Sequence, residues 1–236
     1  MDKKINVIGI IGAMDEEVNE LKSIMTSVKL TSKAKMDFYE GMIDGKDVVV
    51  VRSGIGKVNA GICTQILIDL FNVDVVINTG IAGSLNEKID ICDIVLSTDA
   101  LQHDVEAIAF GYEAGVIPRM DESVFKADED LVELAYKKCL EELPEINVYK
   151  GRVLSGDQFI SDKEKKDFLV NTFKGYCTEM EGAAIAHCAY LNDVPFLIIR
   201  AISDKADGSA HMDYPAFEKL AIKNSVKLMK AIIGEI

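Results

Sequence analysis

Arginine is scarce in this sequence. Only Arg52, Arg119, Arg152 and Arg200 occur in 236 residues, and 39 acids against 26 bases leave a net charge of −13. No basic stripe is available to follow a phosphate backbone, which argues against nucleic acid as a partner. Long apolar runs are missing as well: no stretch of about 18 uncharged apolar residues occurs, so no transmembrane helix is expected. Histidine is limited to His103, His187 and His211, without H-E-x-x-H or any other ligand spacing, so no metal is indicated. The cysteines at 63, 92, 139, 177 and 188 form no C-x-x-C pair and are odd in number; free, buried thiols are the simplest reading. The opening "MDKKINVIGIIGAM" imitates a signal peptide, but its apolar stretch is short, β-branched and followed at once by "DEEVNE". It reads as a first buried strand, and the protein as cytoplasmic.

What is present is an alternation of strands and helices. Apolar, β-branched runs recur at 5–11, 47–53, 73–80, 92–98, 148–156 and 195–203, several of them apolar on consecutive positions, the mark of strands covered on both faces. Helical stretches separate them: "DEEVNELKSIM", 57–71, 128–143, 161–173 with Ser161 and Glu164 at capping-box spacing, "EGAAIAHCAYLN", and a terminal helix from Tyr214. Segments 38–43 and 47–52, joined by "DGK", read as a hairpin. The fold class is α/β: one domain over residues 1–236, with a mixed, largely parallel twisted sheet flanked by helices. In such sheets ligands bind beyond the carboxyl ends of the strands, which directs attention to "GAMDEE", "SGIGK", "NTGIAGS", "SGDQFI" and "RAISDKADG".

"SGIGKVNAG" has the context of a phosphate-binding turn. However, Asn59 stands at the third glycine of a dinucleotide fingerprint, and valine follows Lys57 where a P-loop needs Ser or Thr. In "GAMDEE", Asp15, Glu16 and Glu17 point about 100° apart on a helix, so one can face a cleft while the others face water. In "TEMEGAAIAH", Glu179 and Glu181 stand at the mouth of a helix of small apolar residues. A helix of that composition starts inside the molecule, and a buried carboxylate needs a partner, either an ion pair or a ligand. Asp204 after Ser203 ends the last strand. Glu17, Glu181 and Asp204 thus come from three separate junctions that share one sheet edge. Acids clustered in this way raise a carboxyl pKa and supply a general acid near neutral pH.

Together, "IGIIGAMDEEV", "SGIGKVNA", "NTGIAGS", "HDVEAIAFGYE", "VLSGDQFI", "TEMEGAAIAH" and "RAISDKAD", in order from residue 8 to residue 207, resemble the 5′-methylthioadenosine/S-adenosylhomocysteine nucleosidases of the purine nucleoside phosphorylase superfamily. The resemblance implies a cofactor-independent hydrolase. It would release adenine from methylthioadenosine, S-adenosylhomocysteine and 5′-deoxyadenosine, in methionine salvage and recycling of S-adenosylmethionine by-products. It implies that Glu17 deprotonates the attacking water and that Asp204, held by Ser203, protonates adenine N7. Glu181 would bind the ribose hydroxyls beside Met180. Phe159 would stack on adenine while the backbone of Ile160 reads its N6 and N1 edge. Ile81, Ala82 and Gly83 would contribute through the "NTGIAGS" backbone, and Met14, Ile55 and Tyr214 would line the 5′-alkylthio pocket. Phe110, Tyr112 and Pro118 match residues that reach across from a second subunit, implying a homodimer. Glu179 has no role carried over and reads as structural. Departures from the family pattern fall at Ile81, Ser84, Ala107, Ile108 and Tyr214, the last adding a hydroxyl near the tail. The rivals are a phosphorylase, which needs cationic donors for phosphate that "GAMDEE" lacks, a hydrolase of aminofutalosine-type nucleosides, and a non-catalytic nucleoside sensor.

Overall fold

The computed structural model describes residues 5–236. In chain order the elements are β1 (Val7–Gly12), α1 (Asp15–Ile24), β2 (Thr26–Lys33), β3 (Met36–Ile43), β4 (Lys46–Arg52), α2 (Lys57–Phe71), β5 (Val75–Ser84) and β6 (Ile94–Gln102). After a 3₁₀ turn at Ile108–Phe110 come β7 (Val124–Lys126), α3 (Glu129–Glu142), β8 (Val148–Ser155), α4 (Lys163–Phe173), β9 (Cys177–Glu179), α5 (Gly182–Leu191), β10 (Phe196–Asp204) and α6 (Ala210–Ile233). Among the described residues no helix is long and apolar enough to cross a membrane.

All ten strands belong to one mixed sheet. β5 is its hub. It runs parallel to β1 over residues 75–78 and parallel to β10 over residues 76–83, and its last residues pair antiparallel with β9. Because β10 also pairs β6, β6 pairs β8 and β8 pairs β9, these four strands and the hub itself close into a five-stranded ring. A hub hydrogen-bonded on both edges and covered on both faces has no polar side to show. Every residue of β5 and of β10 is buried accordingly.

The flanking strands obey a different logic. β2, β3 and β4 form an antiparallel meander on the outer edge. β3 and β4 meet at Asp44–Gly45, both at positive φ, as a two-residue hairpin turn requires. β2, "TSVKLTSK", is polar and almost wholly exposed, so no periodicity marks it, yet its backbone completes the meander. Two helix boundaries differ from the sequence expectation. Helix α4 is capped by Asp162, whose carboxylate accepts from the Lys165 amide at 2.9 Å, in place of Ser161. Helix α6 begins at Ala210, before Tyr214, because Asp207 and Asp213 bond the Ser209 hydroxyl and fix a turn ahead of Pro215.

Candidate active site

The ends of β1, β4, β5, β9 and β10 meet around a cavity of about 460 Å³, within the usual range for a small-molecule site. It is lined by Met14, Glu17, Ile55, Ile81, Ala82, Gly83, Phe159, Met180, Glu181, Ser203, Asp204 and Tyr214, with Ala13, Thr178 and Glu179. Ile160 lines a small side chamber that shares Phe159, Thr178 and Asp204 with it. Phe110, Tyr112 and Pro118 lie outside both chambers; Phe110 is 84% exposed.

Glu17 sits in the first turn of α1, where Asp15 and Glu16 turn to solvent and Glu17 turns inward. Its carboxylate reaches back over the helix start. Oε2 accepts from the amides of Ala13 (2.6 Å) and Met14 (3.0 Å), and Oε1 accepts from the amide of Ile81 (3.3 Å) on β5. A Cβ on Gly80 would stand 2.6 Å from Glu17 Oε1 and 2.9 Å from Arg200 Nη1, so only glycine lets these two groups approach the hub strand. Burial pushes the Glu17 carboxyl above its ordinary value, against the opposing pull of Arg200 and the three amides.

Asp204 closes β10 just past a register shift between Ile202 and Asp204, the type of irregularity that re-aims a side chain at a sheet rim. Its Oδ2 accepts from the Ser203 hydroxyl and its Oδ1 from the Ala206 amide, both at 2.8 Å. Burial again dominates and raises its pKa.

Glu181 precedes α5. Its Oε1 accepts from the Gly56 amide at 2.8 Å, at the start of α2. Burial, reinforced by the charge of nearby Glu179, pushes its carboxyl up to about 8. Glu179 itself faces mostly the other way. It pairs with the fully buried Arg200, whose guanidinium also donates to Asn78 and to the Ile199 carbonyl. It further accepts from the Ser155 hydroxyl and from the amides of Glu181 (3.2 Å) and Gly182 (2.7 Å). Its partners are all groups of the protein itself.

On the open side, Phe159 is half exposed, with its ring 5.9 Å from Tyr214 in an edge-on arrangement. The Tyr214 hydroxyl donates to Glu218 at 3.1 Å and lies 3.6 Å from the Met14 sulfur. Sequence reasoning missed Thr178, Arg200 and the Gly56 amide. Arg200 carried a legible signal, since a lone charge inside "FLIIRAIS" demands a buried partner. The other two carried none: a backbone donor has no sequence signature, and Thr178 reads as an ordinary strand residue.

Fold and cavity define an α/β protein with an acid-lined ligand site beyond the carboxyl ends of its strands. Residues 7–234 match the family model described as the Phosphorylase superfamily. The chain belongs to that superfamily and, within it, to the 5′-methylthioadenosine/S-adenosylhomocysteine nucleosidase family. A nucleosidase of that name from an Exiguobacterium species is 44% identical over 226 residues, covering 95% of this chain and 96% of the relative. The crystal structure of the Neisseria meningitidis nucleosidase in complex with methylthio-immucillin-A superposes with a TM-score of 0.94 at 37% identity, over 98% of this chain and 100% of that one. The Helicobacter pylori futalosine hydrolase superposes with a TM-score of 0.93 at 35% identity, over 98% and 99%.

Proposed function

We infer that the protein hydrolyses the N-glycosidic bond of 5′-methylthioadenosine and S-adenosylhomocysteine, releasing adenine and the 5-substituted ribose. One observation carries the choice of water over phosphate within a superfamily named for phosphorolysis. Among the described residues the cavity is lined by Glu17, Glu179, Glu181 and Asp204 and by no lysine or arginine. The arginines are engaged elsewhere or exposed: Arg52 pairs with Asp15, Arg152 with Asp99 and Arg200 with Glu179, while Arg119 faces solvent. A phosphate oxygen about 4 Å from one carboxylate meets roughly 4 kcal/mol of repulsion at an effective dielectric near 20, and the nearby cation, Arg200, is already committed to Glu179 and Asn78. Water meets no such penalty.

The chemistry follows from where the acids stand around the cavity. As the glycosidic bond breaks, the leaving adenine gains electron density and the ribose becomes oxocarbenium-like. Asp204, whose burial favours its protonated form, is the group that gives a proton to the base at N7, and the Ser203 hydroxyl and Ala206 amide fix its aim. Glu17, more basic than a surface glutamate yet anchored by three amides, takes the proton of the attacking water. Glu181, with one oxygen on Gly56, turns the other to the ribose hydroxyls, and the Glu17 carboxylate favours positive charge on the sugar. Phe159 stacks on the base, the Ile160 backbone reads its N6 and N1 edge, and Met14, Ile55 and Tyr214 hold the alkylthio tail. Burial of each methylene there contributes about 0.8 kcal/mol whichever tail is bound, so both thioethers are substrates.

The same reading makes the protein a homodimer. Phe110 and Ile108, 84% and 56% exposed, stand on the stretch that also carries Tyr112 and Pro118; Ile55, Val58 and Ile62 are exposed as well. Apolar exposure of this kind supports an interface that completes the tail pocket from the partner. Light scattering at assay concentration tests it, and a fully active monomer overturns it.

The deciding assay supplies methylthioadenosine in phosphate-free buffer and then adds phosphate. Free adenine and methylthioribose at an unchanged rate are expected. Appearance of a sugar 1-phosphate, or a requirement for phosphate, overturns the hydrolase reading. An aminofutalosine-type nucleoside in parallel measures the tail preference.

A further inference from the structure

Outside the cavity, three loops are tied together by one compact cluster. Lys57 opens α2, Asp104 follows β6, and Asp157 follows β8. The Lys57 ammonium meets Asp104 Oδ1 at 2.5 Å and Gln102 Oε1 at 3.2 Å. Asp104 Oδ2 accepts from the Asp157 amide at 3.0 Å, and Asp157 Oδ1 accepts from the Lys57 amide at 2.8 Å. The circuit is closed: the side chain of each loop is anchored to the backbone or side chain of another. The Lys57 and Asp104 side chains are only 17% and 18% exposed, so the pair is better shielded than the usual surface ion pair. Neither residue lines the cavity.

What the circuit holds still is informative. The amide of Gly56, one residue before Lys57, donates to Glu181 Oε1, and Phe159 lies two residues beyond Asp157. Gly56 has φ +98°, and a Cβ there would lie 3.1 Å from Asp157 Oδ1. The consecutive amides of Gly56 and Lys57 thus point to two different carboxylates, one belonging to the cavity and one to the circuit. Displacing the loop would withdraw the Gly56 amide from Glu181 and free that carboxylate to turn.

We propose that Lys57 and Asp104 are positioning residues for ribose recognition. Their ion pair pins the start of α2 against the Asp157 loop, so that the Gly56 amide fixes one oxygen of Glu181 and leaves the other aimed at the sugar hydroxyls. The proposal rests on the reading of Glu181 as the ribose-binding acid. Its signature is a defect that depends on the sugar, which a purely structural role would not produce.

The test compares methylthioadenosine with its 2′-deoxy analogue, following free adenine and resolving kcat from KM. Lys57→Met is expected to lower kcat/KM for the ribonucleoside by roughly tenfold and for the deoxy analogue by no more than about twofold, because the 2′ hydroxyl whose hydrogen bond to Glu181 is misplaced is absent from the latter. Lys57→Arg, which keeps the ion pair, should retain activity within about threefold on both. Equal losses on the two substrates, or no loss in Lys57→Met, overturn the proposal. If Lys57→Met does not fold by circular dichroism, Asp104→Asn carries the same comparison: a loss confined to the ribonucleoside supports the proposal, and equal or absent losses overturn it. Glu181→Gln calibrates the series. Should the wild type release adenine while Glu181→Gln loses equally on both substrates, the ribose role of Glu181 falls and this proposal falls with it. Should the wild type release no adenine at all, the hydrolase reading itself has failed.

Discussion

Glu179 and Glu181 are two residues apart at the mouth of the same helix, and both are buried, yet their surroundings differ in kind. Around Glu179 both oxygens are held by the protein: Arg200 and two amides of the α5 start converge on one, and the Ser155 hydroxyl donates to the other. Around Glu181 one oxygen accepts from Gly56, and the carboxyl borders the cavity with its pKa pushed up to about 8. A buried acid with all its partners inside the protein is architecture. A buried acid with spare capacity toward a cavity is equipped for a ligand. The contrast extends to the whole region: Glu179 and the groups behind it (Arg200, Asn78, Ser155) bond one another, whereas the other acids of the cavity (Glu17, Glu181, Asp204) have raised pKa values and border open space.

The largest effects should therefore divide between activity and stability. Asp204→Asn keeps shape but removes the proton donor. Turnover should fall by roughly 10²–10⁴-fold, with binding of a substrate analogue retained in calorimetry. A variant with wild-type kcat would return Asp204 to the architectural class. On the saturated side, Arg200→Met leaves Glu179 buried without its counter-ion, and the expected loss is about 3–5 kcal/mol in denaturant unfolding. Adding Glu179→Met should recover part of that loss, because no unpaired charge remains, while the Glu181 and Gly182 amides lose their acceptor. A double variant less stable than Arg200→Met alone would mean that Glu179 holds the α5 start by itself.

The next effect is smaller and depends on pH. Glu181 titrates in the folded protein near 8, above its ordinary value of 4.5, so the folded state holds its proton more tightly than the unfolded chain. Its contribution to stability is fully present below about pH 4.5 and is lost as pH rises through about 8. Relative to Glu181→Gln, the wild type should lose up to about 1.4 kcal/mol per pH unit across that window. Measuring both proteins at each pH cancels the titrating groups that do not interact with Glu181. A difference that stays flat would show that Glu181 is ionised throughout, with a partner as complete as that of Glu179.

Much of this contrast is legible in the sequence alone. The strands of the hub announce themselves by consecutive apolar residues, and "GAMDEE" and "RAISD" stand where an α/β sheet puts its chemistry. That one acid of "DEE" turns inward follows from helical geometry alone, and Glu17 is the buried one. The sequence is silent where the cause is long-range. The strand β2 has no apolar face because it lies on the sheet's edge, and its pairing with β3 is a backbone property. Glu179 and Arg200 are 21 residues apart, and only the ring closure through β9 and β5 brings them together. The Gly56 amide is a donor that any residue but proline would supply; what selects glycine is φ +98° and the crowding by Asp157.

The finest test of the distinction between saturated and open sites is a single hydroxyl. Thr178 lies on β9 opposite Gly83 and borders the cavity, yet it is only 5% exposed, and its Oγ1 has no hydrogen-bond partner among the described residues. A hydroxyl buried without a partner costs about 1–3 kcal/mol, whereas valine has the same shape and nothing to satisfy. Thr178→Val should therefore leave the unliganded protein as stable or up to about 1 kcal/mol more stable, a rise of about 2–4 °C in Tm for a chain of this size. That is the opposite of what loss of a hydroxyl does in the wall, where Ser155 bonds both Glu179 and the Ala183 amide. Replacing Ser155 by alanine should lower Tm, because the Ala183 amide is left buried and unpaired. If the two variants shift Tm in the same downward direction, Thr178 belongs to the saturated wall, and the boundary between the two regions runs along β9 at the cavity's edge.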